Sequence, residues 1–202
     1  MNAQLRSLLD RAYLAWHRSF SGKLSDEQPS GDVDLLSAYG LWEPGRAEAD
    51  FGRFDAKTVV RNIYVLFSKS EIPIAGENKE IMDMVEPSTP LPPWFTEEDM
   101  ATYGALYEKS GFQTALQVPY RSMHKHLDIA DPKVEVPAML IMGEEDYVFK
   151  FPGIEDYTRN GEVKTYVPNL ETIYVPEGTH FVQEQFPDQV NQLLLTFLSN
   201  HN

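Results

Sequence analysis

The sequence predicts an α/β fold with a parallel sheet, and two apolar stretches carry that expectation. Pro137-Ala-Met-Leu-Ile-Met-Gly143 leads into Glu144-Glu-Asp146, and Thr172-Ile-Tyr-Val-Pro176 leads into Glu177-Gly-Thr-His180. Between them, Phe151 to Tyr166 has room for a crossover helix, which two parallel strands need. A strand apolar on both faces, as 137–143 is, belongs to a parallel sheet covered on both sides. Functional groups in such sheets gather just beyond the carboxyl ends of the strands. The order strand–acid–helix–strand–His therefore sets Asp146 and His180 side by side. An acid that orients an imidazole base is two thirds of a nucleophile–His–acid triad. No third member is identifiable in the sequence.

Residues 3–20 read as an amphipathic helix, with Leu5, Leu8, Leu9, Ala12, Tyr13, Trp16 and Phe20 on one face. Residues 21–42 have the composition of a linker, rich in Ser, Gly and Asp. Pro44-Gly45 reads as a turn leading into a helix start. Ala56 to Ser68 reads as a helix that is apolar nearly all round, through Val59, Val60, Ile63, Val65, Leu66 and Phe67. Such a helix is buried on more than one side. Pro73, Pro87, Pro90, Pro92 and Pro93 make 71–95 a stiff, irregular connection. Thr96 followed by Glu97-Glu98-Asp99 is a helix N-cap with acids in the first turn. That helix runs to Ser110 and stops at Gly111, and another is expected from Gln113 to Leu127. Pro187 starts a last helix, with Val190, Leu193, Leu194, Phe197 and Leu198 on one face.

The bulk properties limit the partners. At 202 residues the chain suffices for one domain with a sizeable core, or one and a part. Thirty-one acidic against 17 basic residues give a formal charge of −14, which argues against nucleic acid and anionic membrane, since both need a positive surface. The absence of cysteine excludes disulfides, zinc–thiolate sites and a Cys nucleophile. No apolar run reaches the roughly 18 residues of a membrane span, and the N-terminus lacks the apolar core of a secretory signal. The expected compartment is cytoplasmic. No glycine-rich phosphate loop occurs and no cofactor is expected. His124 and His126 would diverge by about 200° on a helix, so they read as surface residues and no metal site is expected. Glu144 and Glu145 read as a solvated rim.

Residues 43–198 resemble the C-terminal part of plant soluble epoxide hydrolases, of the α/β-hydrolase fold. The resemblance rests on Glu43-Pro-Gly-Arg-Ala-Glu-Ala-Asp-Phe51, Gly111-Phe-Gln-Thr-Ala-Leu-Gln-Val-Pro-Tyr-Arg121, Val136-Pro-Ala-Met-Leu-Ile-Met-Gly-Glu-Glu-Asp146, Phe151-Pro-Gly153 and Glu177-Gly-Thr-His-Phe181. The acid-then-His order alone fits any hydrolase of this fold; the Pro-Tyr-Arg selects the epoxide hydrolases. The implied architecture is a divergent N-terminal helix and linker (1–42), a helical lid (43–130) and the C-terminal β-α-β-α unit of the parallel core (131–202).

The resemblance implies a two-step reaction on a small apolar epoxide, such as that of a fatty acid, with water as co-substrate. An Asp on a nucleophile elbow opens the ring and forms an ester. Two lid tyrosines donate to the developing alkoxide, and a His–Asp pair activates water to hydrolyse the ester. Carried over by position, Asp146 is the orienting acid, His180 the general base, Tyr120 one lid tyrosine and Tyr39 the second. The sequence departs from the family in three places, one of them the segment Tyr39-Gly-Leu-Trp42, which is shortened against the family pattern. No His is followed by Gly, so the oxyanion loop of His-Gly type is absent, and no small-x-Asp-x-small turn follows a strand. The chain by itself is therefore expected to be inactive. It would act with the missing half, or serve as a non-catalytic isoform that binds ligands, forms homo-oligomers or pairs with an intact homologue. A different hydrolase of the same fold is the third reading, and it would need an elbow Ser or Asp.

Overall fold

The computed structural model describes residues 44–73, 79–117, 133–151 and 153–201. The helix expected at 3–20, the linker at 21–42, Tyr39, Tyr120, His124 and His126 lie outside them.

The first part is helical. Gly45, at φ 93°, caps α1 (Arg46–Phe51), and its N–H donates to Glu48 Oε2 at 3.0 Å. A positive φ of this size is what glycine tolerates and other residues resist. The helix α2 (Ala56–Phe67) starts at Asp55, whose Oδ1 accepts from the Thr58 N–H at 2.7 Å. Its Val59 and Leu66 are fully buried, as an all-round apolar helix requires. A 3₁₀ turn, Ile81–Met84, closes under it and buries Ile81 and Met82. Asp50 is buried there but not unpaired: it accepts from the Met82 N–H at 3.0 Å and from Arg53. The helix α3 (Glu97–Ser110) opens with a reciprocal capping box between Thr96 and Asp99 and ends at Gly111, φ 65°. It packs on α2 and is followed by the short α4 (Gln113–Gln117). The rest of the helix expected to Leu127 lies outside the described residues.

The second part is the β-α-β-α unit. Strands β1 (Ala138–Gly143) and β2 (Leu170–Val175) pair in parallel, from Ala138 opposite Leu170 to Gly143 opposite Val175. The crossover is not one helix over 151–166. It is a 3₁₀ turn (Tyr147–Lys150), then α5 (Ile154–Arg159), then a second 3₁₀ turn (Glu162–Thr165). Asn160-Gly161 breaks it, with Gly161 at φ 82°. The second strand starts at Leu170, earlier than its apolar stretch, because pairing with Ala138 extends it through the exposed Glu171. After β2 come α6 (Val182–Gln185), which the sequence pattern did not announce, and α7 (Pro187–Asn200).

The expectation that β1 is covered on both faces is not met among the described residues. Ala138 to Met142 are only partly buried, because the described sheet has two strands. The apolar face of α7 is likewise half used: Val190 is buried, whereas Leu194 and Leu198 are exposed. The largest apolar cluster among the described residues instead joins α1, α2 and the 3₁₀ turn at 81–84 to Tyr147, just beyond β1. No helix among the described residues is long and apolar enough to cross a membrane.

Candidate active site beyond the strand ends

The loops leaving β1 and β2 are pressed together. A Cβ on Gly143 would lie 2.1 Å from the Gly178 carbonyl oxygen and 2.5 Å from that of Thr179, so only glycine fits. The Glu144 N–H donates to the Val175 carbonyl at 3.0 Å, and the Glu145 N–H to the Gly178 carbonyl at 2.9 Å. Glu177 adopts φ 58° to make the turn. Gln185, on α6, clasps the same loop: its Oε1 accepts from the Thr179 N–H at 2.8 Å, and its Nε2 donates to the Glu177 carbonyl at 2.9 Å.

This arrangement brings Asp146 and His180 together. His180 Nδ1 lies 3.2 and 3.1 Å from the two carboxylate oxygens of Asp146. Asp146 Oδ1 also accepts from the Val148 N–H at 3.0 Å and caps the following 3₁₀ turn. The carboxylate is held from two sides and its side chain is 9% exposed, whereas that of His180 is 39% exposed. A carboxylate only accepts, so, facing one, Nδ1 is the donor, and the neutral imidazole in that tautomer presents the Nε2 lone pair. The ring is set by Tyr147 and Phe181, with centroids 4.9 and 5.4 Å away.

His180 lines a cavity of about 390 Å³ between the helical part and the strand ends. That is within the range of small-molecule sites. The walls are mostly aromatic and aliphatic, with Phe51, Phe67, Phe112 and Leu116 among them. One polar cluster interrupts them. The Tyr64 hydroxyl donates to Glu184, at 2.8 Å from Oε1 and 3.0 Å from Oε2, and the Tyr103 hydroxyl reaches Oε2 at 3.3 Å. Burial, then the Glu184 hydrogen bond, pushes the Tyr64 hydroxyl well above the usual tyrosine range. Burial, then the Glu184 charge, pushes Tyr103 in the same direction.

The structure therefore sets Asp146 and His180 in contact, while Tyr120 and Tyr39 lie outside the described residues. Sequence reasoning passed over Tyr64, Tyr103, Glu184 and Gln185. Gln185 had a faint signal, five residues beyond a His at a strand end. Tyr64 and Glu184 had none, being 120 residues apart.

No protein-family model matches the chain. Over 161 residues, 77% of this chain and 50% of the relative, it is 33% identical to epoxide hydrolase 1 of Siraitia grosvenorii. Among solved structures it is similar to a Vigna radiata epoxide hydrolase mutant, with TM-score 0.70 and 30% identity over 83% of this chain and 54% of that one. It is also similar to potato (Solanum tuberosum) epoxide hydrolase I, with TM-score 0.66 and 25% identity over 87% of this chain and 59% of the other. The chain spans about half the length of the relatives it matches.

Proposed function

We propose, for a chain that belongs to the plant-type epoxide hydrolases of the α/β-hydrolase fold and spans about half their length, that it carries the water-activating half of an epoxide hydrolysis. The observation that carries this reading is the His180 Nδ1–Asp146 contact at 3.1 Å on the wall of an apolar cavity. Asp146 holds the imidazole with Nε2 free to accept a proton. His180 is the general base that takes a proton from water. The resulting hydroxide attacks the carbonyl of a carboxylate ester formed when the epoxide ring was opened. The C–O bond of that ester breaks, and the diol leaves with its oxygen protonated by the imidazolium. Tyr120 and Tyr39 are assigned to donate to the alkoxide as the ring opens. The residues 43–130 act as the lid over 131–202, and the substrate is a small apolar epoxide with water, handled in the cytoplasm.

The nucleophile that forms the ester is not assigned to any residue of this sequence, which has no elbow motif. Without that nucleophile no ester forms in this chain alone, so any turnover it shows by itself comes from water that His180 activates directly against the ring, a general-base contribution of about 10²–10⁴-fold. Incubation with styrene oxide, with the diol followed by chromatography, tests the reading. Diol formation above background that is lost in His180→Ala supports it; equal rates in the two proteins remove His180 as the base. A second reading, a binding module without turnover that pairs with itself or with an intact homologue, is favoured by the lack of a nucleophile-elbow motif in this sequence. It is supported if the chain binds the epoxide and forms no diol.

A further inference from the structure

We infer that the Tyr64–Tyr103–Glu184 cluster is a specificity site, which admits apolar epoxides bearing a neutral hydrogen-bond donor, an alcohol, and rejects those bearing a carboxylate. The inference rests on the epoxide reading above for the reacting group, and adds the chemistry of the substrate's other polar end.

Glu184 is the one acidic side chain among the described residues that line the cavity, and no Lys or Arg lines it there. Among the described residues its charge thus has no lysine or arginine partner on the wall. Both hydroxyls donate to it, with contacts of 2.8, 3.0 and 3.3 Å. A tyrosine hydroxyl has a single hydrogen, and a carboxylate has about four lone-pair sites. Once each tyrosine has given its hydrogen to Glu184, all three groups offer only lone pairs. The cluster accepts and does not donate.

Packing keeps it so. The Tyr64 ring is stacked between Phe95 at 3.9 Å and Phe181 at 4.4 Å, with interplanar angles of 1° and 17°. The ring cannot swing its hydroxyl elsewhere without breaking both stacks. Burial also raises the pKa of both phenols, which keeps their hydrogens in place at neutral pH. An alcohol arriving here gives its hydrogen to an open lone pair. A carboxylate brings only acceptors and a like charge, and like charges brought together at this half-buried site repel.

The cluster also lies within reach of the proposed chemistry. Glu184 is on the helix that begins just after His180, and the Phe181 ring sits beside both Tyr64, at 4.4 Å, and His180, at 5.4 Å. One ring separates the acceptor cluster from the imidazole, so a single small molecule can engage both. The substrate class is accordingly a hydroxylated apolar epoxide in preference to the epoxide of a free fatty acid.

Calorimetric titration of the full chain at pH 8 with two unreactive probes, 1-decanol and decanoate, tests this. The alcohol is expected to bind at least about tenfold more tightly than the carboxylate. Glu184→Gln places a donating amide in the cluster and is expected to bring the two within about threefold. Equal binding of the probes by the wild-type chain, an unchanged ratio in Glu184→Gln, or binding of neither probe overturns the inference. Should Glu184→Gln lose its cooperative melt, Tyr103→Phe serves instead. It removes one donor and opens a lone pair, so rejection of decanoate should persist, and a gain in decanoate binding overturns the proposal. Neither probe reacts, so the outcome is independent of diol formation: the selectivity can stand where the hydrolysis reading fails, and the reverse.

Discussion

Asp146 and His180 were readable as a pair because each lies a few residues beyond the end of an apolar strand, and parallel strands put such residues at one edge. Tyr64 was not, because its role is set by a partner 120 residues away. On its helix it reads as one more large residue on an apolar face, and only the packed structure shows its hydroxyl at Glu184. That hydroxyl gives a pH prediction. Its pKa is raised in the fold, by burial first and by Glu184 second, above the value near 10 of an exposed tyrosine. Below about pH 10 both the folded and unfolded chains hold the proton, and the full stabilisation is present. As the pH climbs past that value the unfolded chain ionises first, so stability is lost with rising pH. Tyr64→Phe removes the titration together with the hydrogen bond, at a cost of about 1–3 kcal/mol near pH 8. Urea unfolding of both proteins between pH 8 and 11 should show the gap between them shrinking as the pH rises. A constant gap would mean that Tyr64 ionises in the folded chain as it does in the unfolded one.

Among the elements, β1, β2, α2 and α3 follow from apolar pattern and capping residues, and their positions agree with the sequence reading to within two residues. The crossover does not, because the Asn160-Gly161 turn outweighs the helical pattern around it. The extent of strand coverage was legible only as a rule: a strand apolar on both faces belongs inside a sheet, yet β1 is half-exposed among the described residues. Gly143 shows how much of the candidate site depends on a contact that sequence alone does not reveal. It ends β1, and a methyl group on it would lie 2.1 Å from the Gly178 carbonyl oxygen, within the turn that carries His180. Both neighbours are backbone, so neither loop can yield by changing a rotamer. Gly143→Ala should destabilise the chain by about 1–3 kcal/mol, as overpacking does. It should also draw Asp146 away from His180. Imidazole nitrogen NMR would register this as loss of the Nδ1–H to carboxylate hydrogen bond, and an intact signal would show that the two loops tolerate separation.

The whole molecule poses the question of whether the helical part and the strand unit fold as one. The sequence suggests a boundary near residue 130, between a helical lid and a core unit. The structure ties the two sides together across it. Phe67, at the end of α2, is buried and packs on Tyr147 at 5.3 Å, with His180 6.4 Å away. Tyr64 bonds Glu184, and Tyr147 belongs to the main helical cluster. A chain held this way should unfold in one transition, with far-UV and near-UV circular dichroism coinciding. Phe67→Ala is the sharpest probe, because it removes the aromatic that both sides share. A buried Phe→Ala change costs about 3–5 kcal/mol, a large share of the roughly 5–15 kcal/mol that keeps a domain folded. If the two parts are one cooperative unit, the single transition moves to lower temperature and takes helix and strand signals with it. If they are independent, the melt splits into two steps and the strand unit keeps its own midpoint. That second result would confine the cavity to a contact between separately folded parts, and the Asp146–His180 pair would then survive without the helices above it.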